Sequence, residues 1–369
     1  MDVAGTPLSP EVAALLERFH FERVPFEDLR ARFVAALPDP ESLHRITETI
    51  EVPAEDVAQQ LPAPRTEERE RVAALGRAAV ERGEIAAVVL AGGMATRFGS
   101  QVKALAPVLD GRDLTFLDLK LTDLTRLGVD VTLMTSFATH DALAEAVRGT
   151  GVHLAPQLVS LRLSEDGALF LDADGEASPH APGHGDLGDA LELSGALERY
   201  RRDGVRTLFV CNVDNVGATL DPALAGLHGE LGGAITAELV SKRPGDVGGL
   251  PVRRADGSLA LAEAFRVPEG FPHEQFPLFN TNTLWIDLPA LTAPGGFTWC
   301  VARKSVDDRR AIQLERLVGE LTWWHPSRYV HVSREGAGSR FVPVKDEDDL
   351  AAAQDQIAAI ARERLGLDI

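Results

Sequence analysis

Cysteine is nearly missing from this chain: Cys211 and Cys300 are the only two among 369 residues. Two thiols, each set among apolar neighbours, cannot build a disulfide framework or a structural zinc centre, so redox and zinc chemistry drop out. Cations are also scarce. Lys plus Arg number 37 against 56 Asp plus Glu, a formal net charge of −19, and such a surface repels polyanions unless its basic residues are concentrated locally. General nucleic-acid binding is not expected. No apolar run approaches the ~18–20 residues that cross a bilayer, and the opening MDVAGTPLSPEV lacks both the basic end and the apolar stretch of a secretory signal. A cytoplasmic protein with no membrane partner is the expectation. Internal repeats and low-complexity tracts are absent as well. What the chain does have is 45% hydrophobic residues, over a length that gives a prior of about two domains and room for a sizeable core.

The first 83 residues read as a helical preface. Ser9 caps a helix that Pro10 opens, with Val12, Leu15, Leu16 and Phe19 at helical spacing, and a polar helix is expected over 67–82. The pattern then changes. IAAVVL, beginning at Ile85, is a short apolar run of the kind buried on both faces of a parallel sheet, and it ends in Gly92-Gly93. Helices over 114–127 and 140–147 alternate with strands over 129–135 and 207–213, which argues for an α/β fold: a mixed, mostly parallel sheet flanked by helices. Asp-Gly turns in 161–175 and at Asp256-Gly257 suit hairpin excursions. A last amphipathic helix carries Leu350, Ala353, Ile357, Ala361 and Leu365, packing on its own domain or on a second subunit. The expected division is therefore 1–83 helical, 84–335 α/β, and 336–369 a short closing segment.

The loop GGMATRFGSQVK, residues 92–103, lets backbone N–H groups approach anionic oxygens through Gly92 and Gly93, while Arg97 and Lys103 bring positive charge. It fits neither GxxxxGK[ST] nor GxGxxG, which disfavours a P-loop or a dinucleotide-dependent oxidoreductase. Taken alone, a glycine pair after a strand is more often a plain tight turn. Asp214 follows the apolar strand TLFVCNVD at its carboxyl end, where ligands bind in open α/β sheets, and a carboxylate there can hold Mg²⁺; by pattern alone Asp214 or Asn215 is more often a cap of the next turn.

Together with PGHGD (182–186), NVDNVGAT (212–219), LAEAFRVP (261–268), FNTNTLW (279–285), AIQLE (311–315) and RFVPVK (340–345), that loop resembles the UDP-glucose pyrophosphorylase family, the eukaryotic-type UTP:glucose-1-phosphate uridylyltransferases. The motifs are collinear from about residue 84 to the end. The resemblance implies a Rossmann-like nucleotidyltransferase sheet and a Mg²⁺-assisted transfer between UTP and a sugar 1-phosphate. It places Gln157 and Gly185 beside the base, His184 at the phosphates, and Asn212, Glu263, Gly249, Asn280 and Asn282 around the hexose. Asp214 becomes the metal ligand, and Lys103, Arg97 and Lys345 the charge-neutralising residues. Locally, FNTNTLW puts two amides two residues apart on a strand, hence on one face. Lys345 by itself is an ordinary solvated charge.

Three departures stand out. Ala95 replaces a family glycine, Arg97 makes the TR pair of bacterial sugar nucleotidyltransferases, and Lys103 is displaced by one position. The sequence shown stops soon after Lys345, so a short form without a carboxy-terminal β-helix is expected, as a monomer or small homo-oligomer. Two alternatives remain: a pyrophosphorylase for N-acetylglucosamine 1-phosphate or several sugars, and a non-catalytic nucleotide-sugar binding protein.

Overall fold

The computed structural model describes residues 2–54, 57–93 and 102–369. Its helices are α1 (Pro10–Arg18), α2 (Phe26–Ala35), α3 (Glu67–Glu81), α4 (Phe116–Arg126), α5 (His140–Ala146), α6 (Leu187–Leu193), α7 (Ala196–Asp203), α8 (Pro222–Leu231) and α9 (Glu347–Glu363). The main strands are β1 (Gln59–Gln60), β2 (Ile85–Leu90), β3 (Asp130–Thr135), β4 (His153–Pro156), β5 (Thr207–Asn212), β6 (Ile235–Ser241), β7 (Gly249–Arg254), β8 (Leu259–Glu263), β9 (Leu278–Asp287), β10 (Cys300–Val306), β11 (Arg309–Glu315) and β12 (Ser327–His331).

Among the described residues the central sheet has eight strands in the order β1-β12-β6-β9-β5-β2-β3-β4. β9 runs antiparallel to both neighbours, and every other adjacent pair is parallel. The alternation of side chains explains why β2 and β5 sit at the centre. Ala87, Val89, Phe209 and Cys211 enter one core with α3, α4, α8 and α9, whereas Ala86, Val88, Leu208 and Val210 enter a second core with α6 and α7. Both cysteines are buried and free, and burial pushes the Cys300 thiol up to about 12. No described helix is long and apolar enough to cross a membrane.

Helix boundaries follow their caps. Ser9 Oγ accepts from Val12 N at 3.3 Å, Thr66 caps α3, and Thr115 with Asp118 forms a reciprocal capping box. The helix expected from 114 therefore begins at Phe116, because Thr115 holds the extended backbone of a cap. α9 docks on its own domain through Ile357, Ile360 and Ala361, all fully buried; each isoleucine contributes about 1.5–3 kcal/mol by leaving water. Leu365 is buried too, but beyond the helix end.

The opening segment is helical in α1, α2 and α3, yet it is not helical throughout. Gln59–Gln60 pairs with β12 at the sheet edge, and Ile50–Glu51 pairs with the β7–β8 hairpin. α1 and α2 pack on residues 158–163 and on β10 and β11 in a third core. The Asp-Gly excursions appear as turns at Gly167, Gly175 and Gly257, each with positive φ, and the first two are joined by single bridges, Leu163 with Leu169 and Leu171 with Ala177.

Candidate functional site

β3 flanks β2 on one side and β5 flanks it on the other, so the carboxyl ends of β2 and β5, paired to Leu90 and Asn212, mark the switch point of the sheet, where open α/β folds have their binding crevice. Gly92-Gly93 follows β2 and Asp214 follows β5, which puts both at this switch point. Val213 N donates to Leu90 O at 3.0 Å, joining the two exits. Lys103, 9% exposed, reaches Asp214 with Nζ 2.7 Å from Oδ2. The RFVPVK segment closes on the same turn: Val344 N donates to Asp214 O at 3.0 Å, and Val216 N to Val342 O at 3.1 Å. Lys345, an exposed residue, follows directly on Val344 and so sits beside this turn, its N–H donating to Asp349 Oδ2 at 2.8 Å. Arg97 lies outside the described residues.

A buried polar layer holds this turn in place. Lys120, on α4, donates to the carbonyls of Asn215 (2.6 Å) and Ala218 (2.5 Å), and Asp123 accepts from Leu220 N at 2.6 Å. Asn215 bridges to RFVPVK, its Nδ2 donating to Arg340 O (3.1 Å) and its Oδ1 accepting from Val342 N (2.9 Å). Arg340 forms a buried pair with Glu238 of β6 and donates to Thr219 O at 2.8 Å. Burial pulls the Lys120 ammonium below its ordinary value. These residues position the turn and were missed from sequence. The signal was there: a lysine within the apolar face of LDLKLTDL and a glutamate inside the strand ITAELVS.

On the β4 side, Gln157 joins two loops. Its Nε2 donates to Gly183 O at 2.7 Å, and a Cβ on Gly92 would stand 2.2 Å from its Oε1, so a side chain at position 92 would require the Gln157 amide to shift. Gly183, at φ +92°, and Gly185 lie against the Arg316 backbone, where an added Cβ would stand at 2.5 and 2.6 Å respectively. Gly185 also donates to Arg316 O at 2.9 Å, so its want of a side chain is already explained by Arg316. Arg316 in turn pairs with buried Asp186, and with Asp189 at 2.9 Å, beneath Trp299. His184 accepts from Val318 N at Nδ1 (2.9 Å), and burial lowers its pKa to about 4. The ring is therefore neutral, with its proton on Nε2 as a donor.

The residues assigned to the hexose converge. Asn282 Nδ2 donates to Asn212 Oδ1 at 2.9 Å, and Asn282 N to Asn280 Oδ1 at 3.1 Å. A Cβ on Gly249 would meet Asn280 Nδ2 at 2.9 Å and Glu263 Oε1 at 3.2 Å, so both side chains lean over that glycine. The regular alternation expected for FNTNTLW does not hold. Asn282 has φ +57°, and the β6–β9 register slips between Ala237 and Leu239, so the amides meet through a bulge. Asparagine tolerates that left-handed backbone.

Glu263 is half-buried here, and burial raises its carboxyl to about 7 while Arg266 opposes the rise. A folded pKa above the unfolded one contributes stability that is full below about 4.5 and fades as pH climbs through about 7. Thermal unfolding between pH 5 and 8 should therefore show the wild type losing stability relative to Glu263→Gln, and parallel profiles for the two would count against this protonation.

No cluster of three His, Cys, Asp or Glu side chains able to hold a metal ion occurs among the described residues. Asp214 is a lone carboxylate with one oxygen at Lys103, a donor set that suits only an ion sharing its coordination with substrate phosphates, as Mg²⁺ does. A cavity of about 1270 Å³ lies at the opposite, amino-terminal end of the sheet, around Ile85, Thr207 and Asp287, away from all of these groups.

Fold and site together define an open α/β protein with its polar groups gathered at the switch point of the sheet. The chain belongs to the UTP–glucose-1-phosphate uridylyltransferase family, which it matches over residues 26–368. It is 32% identical over 289 residues to the UTP–glucose-1-phosphate uridylyltransferase of Encephalitozoon cuniculi, covering 72% of this chain and 57% of that one. The Pyrus pyrifolia protein of the same name is 28% identical, with 95% and 77% covered. A variant of UDP-glucose pyrophosphorylase from Leishmania major superposes with a TM-score of 0.69 at 25% identity, covering 94% of this chain and 79% of that one. The chain thus spans less than two thirds of the length of the Encephalitozoon relative.

Proposed function

We propose that the chain transfers a uridylyl group from UTP to glucose 1-phosphate, giving UDP-glucose and pyrophosphate. The observation that carries this reading is the meeting of Lys103, Asp214 and the Lys345 segment at one turn, with Gly92, Gln157 and His184 on one side and the Glu263–Asn280–Asn282 cluster on the other. A sugar phosphate is already largely a dianion at neutral pH, its second pKa being about 6, so no general base or protein nucleophile is needed. One of its oxygens attacks the α-phosphorus of UTP, the bond to the β-phosphate breaks, and pyrophosphate leaves with that electron pair. The obstacle is repulsion between two anions, and the work of the protein is alignment and charge stabilisation.

Lys103, Lys345 and Arg97 are the cations for that task. His184, neutral with Nε2–H outward from its Val318 bond, is a hydrogen-bond donor to a phosphate oxygen. Mg²⁺, held by Asp214 together with the phosphates, supplies further charge neutralisation when bound. Lys103 already engages one oxygen of Asp214, so this carboxylate would serve both the lysine and the metal.

Pyrophosphate release should be followed with Mg²⁺, each of the four nucleoside triphosphates, and a panel of sugar 1-phosphates that includes N-acetylglucosamine 1-phosphate. UTP with glucose 1-phosphate is expected to be fastest, and silence with every pair would overturn the reading. Asp214→Ala should raise the Mg²⁺ concentration for half-maximal rate at least about tenfold, as loss of a metal-orienting partner commonly does.

A further inference from the structure

Beyond the crevice, on the far side of the Asp214 turn, a second cavity of about 690 Å³ opens at the carboxyl ends of β6 and β12. Its size falls within the range of small-molecule sites. In a protein of net charge −19 its walls are unusual: Arg69, Arg243, Arg334, Arg340 and Arg364 line it against three carboxylates, Asp221, Glu335 and Glu363. Several of these guanidinium groups have partners. Arg69 Nη2 meets Asp221 Oδ2 at 2.5 Å, Arg334 forms a fork on Asp246 at 2.5 and 2.8 Å, and Arg243, half-exposed, pairs with Glu335.

Arg340 differs from the others. It is 2% exposed, Nε and Nη2 are spent on Glu238 and Thr219 O, and Nη1 makes no hydrogen bond among the described residues. Asp221 Oδ2 stands 3.9 Å from Nη1, beyond hydrogen-bond reach. A buried guanidinium nitrogen without a hydrogen-bond acceptor is destabilising, and an oxyanion entering the cavity and drawing Nη1 towards it would supply the missing acceptor.

We propose that this arginine-lined cavity binds a small phosphate ester, and that its occupancy is transmitted to the Asp214 turn. The connection is short. Arg340 donates to Thr219 O, and Arg364 donates to Gly217 O at 3.0 Å, to Ser339 O at 2.7 Å and to the Thr219 hydroxyl. A phosphate drawing Nη1 outward therefore pulls on the five residues that follow Asp214. This site is separate from the crevice that holds Lys103 and Lys345, since neither lysine lines the cavity.

Glycerol 3-phosphate is the probe, titrated calorimetrically into the full chain at constant ionic strength with chloride as the control. Wild type should bind at millimolar or lower concentration. Arg243→Glu, an exposed rim change that leaves the buried layer alone, should weaken binding at least about tenfold, the worth of one charge-assisted contact. Arg340→Lys, which keeps a cation beside Glu238 but removes Nη1, should do the same, and Lys345→Ala should bind like wild type. Hydrogen exchange across residues 214–222 should slow on binding in wild type and not in Arg243→Glu. Absent binding, binding indifferent to Arg243→Glu, loss only in Lys345→Ala, or binding with no protection of 214–222 would each overturn the proposal.

Discussion

Replacing Lys345 by alanine is expected to cut the rate of pyrophosphate release at least about a hundredfold, the usual cost of removing one donor aimed at developing transition-state charge. The structure gives two reasons to expect a clean result. Lys345 is exposed and its ordered contact is made by backbone, N–H to Asp349 Oδ2, so the substitution removes charge without opening a cavity. Its position is fixed from both sides, by Val344 N on Asp214 O and by the start of α9. Steady-state rates, with a thermal unfolding midpoint as control, decide the matter. An intact fold with near-normal kcat would remove Lys345 from the site.

The other large effect concerns stability. Glu238 is fully buried in β6, where Arg340 pairs with both of its oxygens and Trp285 Nε1 donates to Oε1 at 3.1 Å. Glu238→Leu leaves the Arg340 guanidinium buried without its countercharge and should cost about 3–5 kcal/mol, whereas Glu238→Leu with Arg340→Met removes both charges and should recover much of that loss. Urea unfolding of the two singles and the double closes the cycle. A single-variant loss under about 1 kcal/mol would show that water or rearrangement compensates the charge.

The parts of the fold that could be read in sequence were those with a local cause. IAAVVL and TLFVC are strands because their side chains are apolar on both faces, and Ser9, Thr66 and Thr115 announce their helices by capping. The gathering of Gly249, Glu263, Asn280 and Asn282 was legible only through collinear resemblance, since no spacing rule joins residues on three strands. What stayed hidden depends on tertiary contact. The left-handed backbone at Asn282 answers to a register slip against β6, and the roles of Lys120, Asn215 and Arg340 arise only when α4, the Asp214 turn and RFVPVK meet. A helical pattern likewise could not reveal that the opening segment lends Gln59–Gln60 to the sheet, because two residues carry no periodicity.

That two-residue loan has a consequence for handling the molecule. Gln59 and Gln60 cover the backbone of Val330 and His331 at the end of β12, assisted by Gln60 Nε2 on His331 Nδ1 at 2.8 Å. Trimming the amino terminus past Pro62 would strip that cover and leave a bare strand margin, the kind of edge on which neighbouring molecules zip together into aggregates.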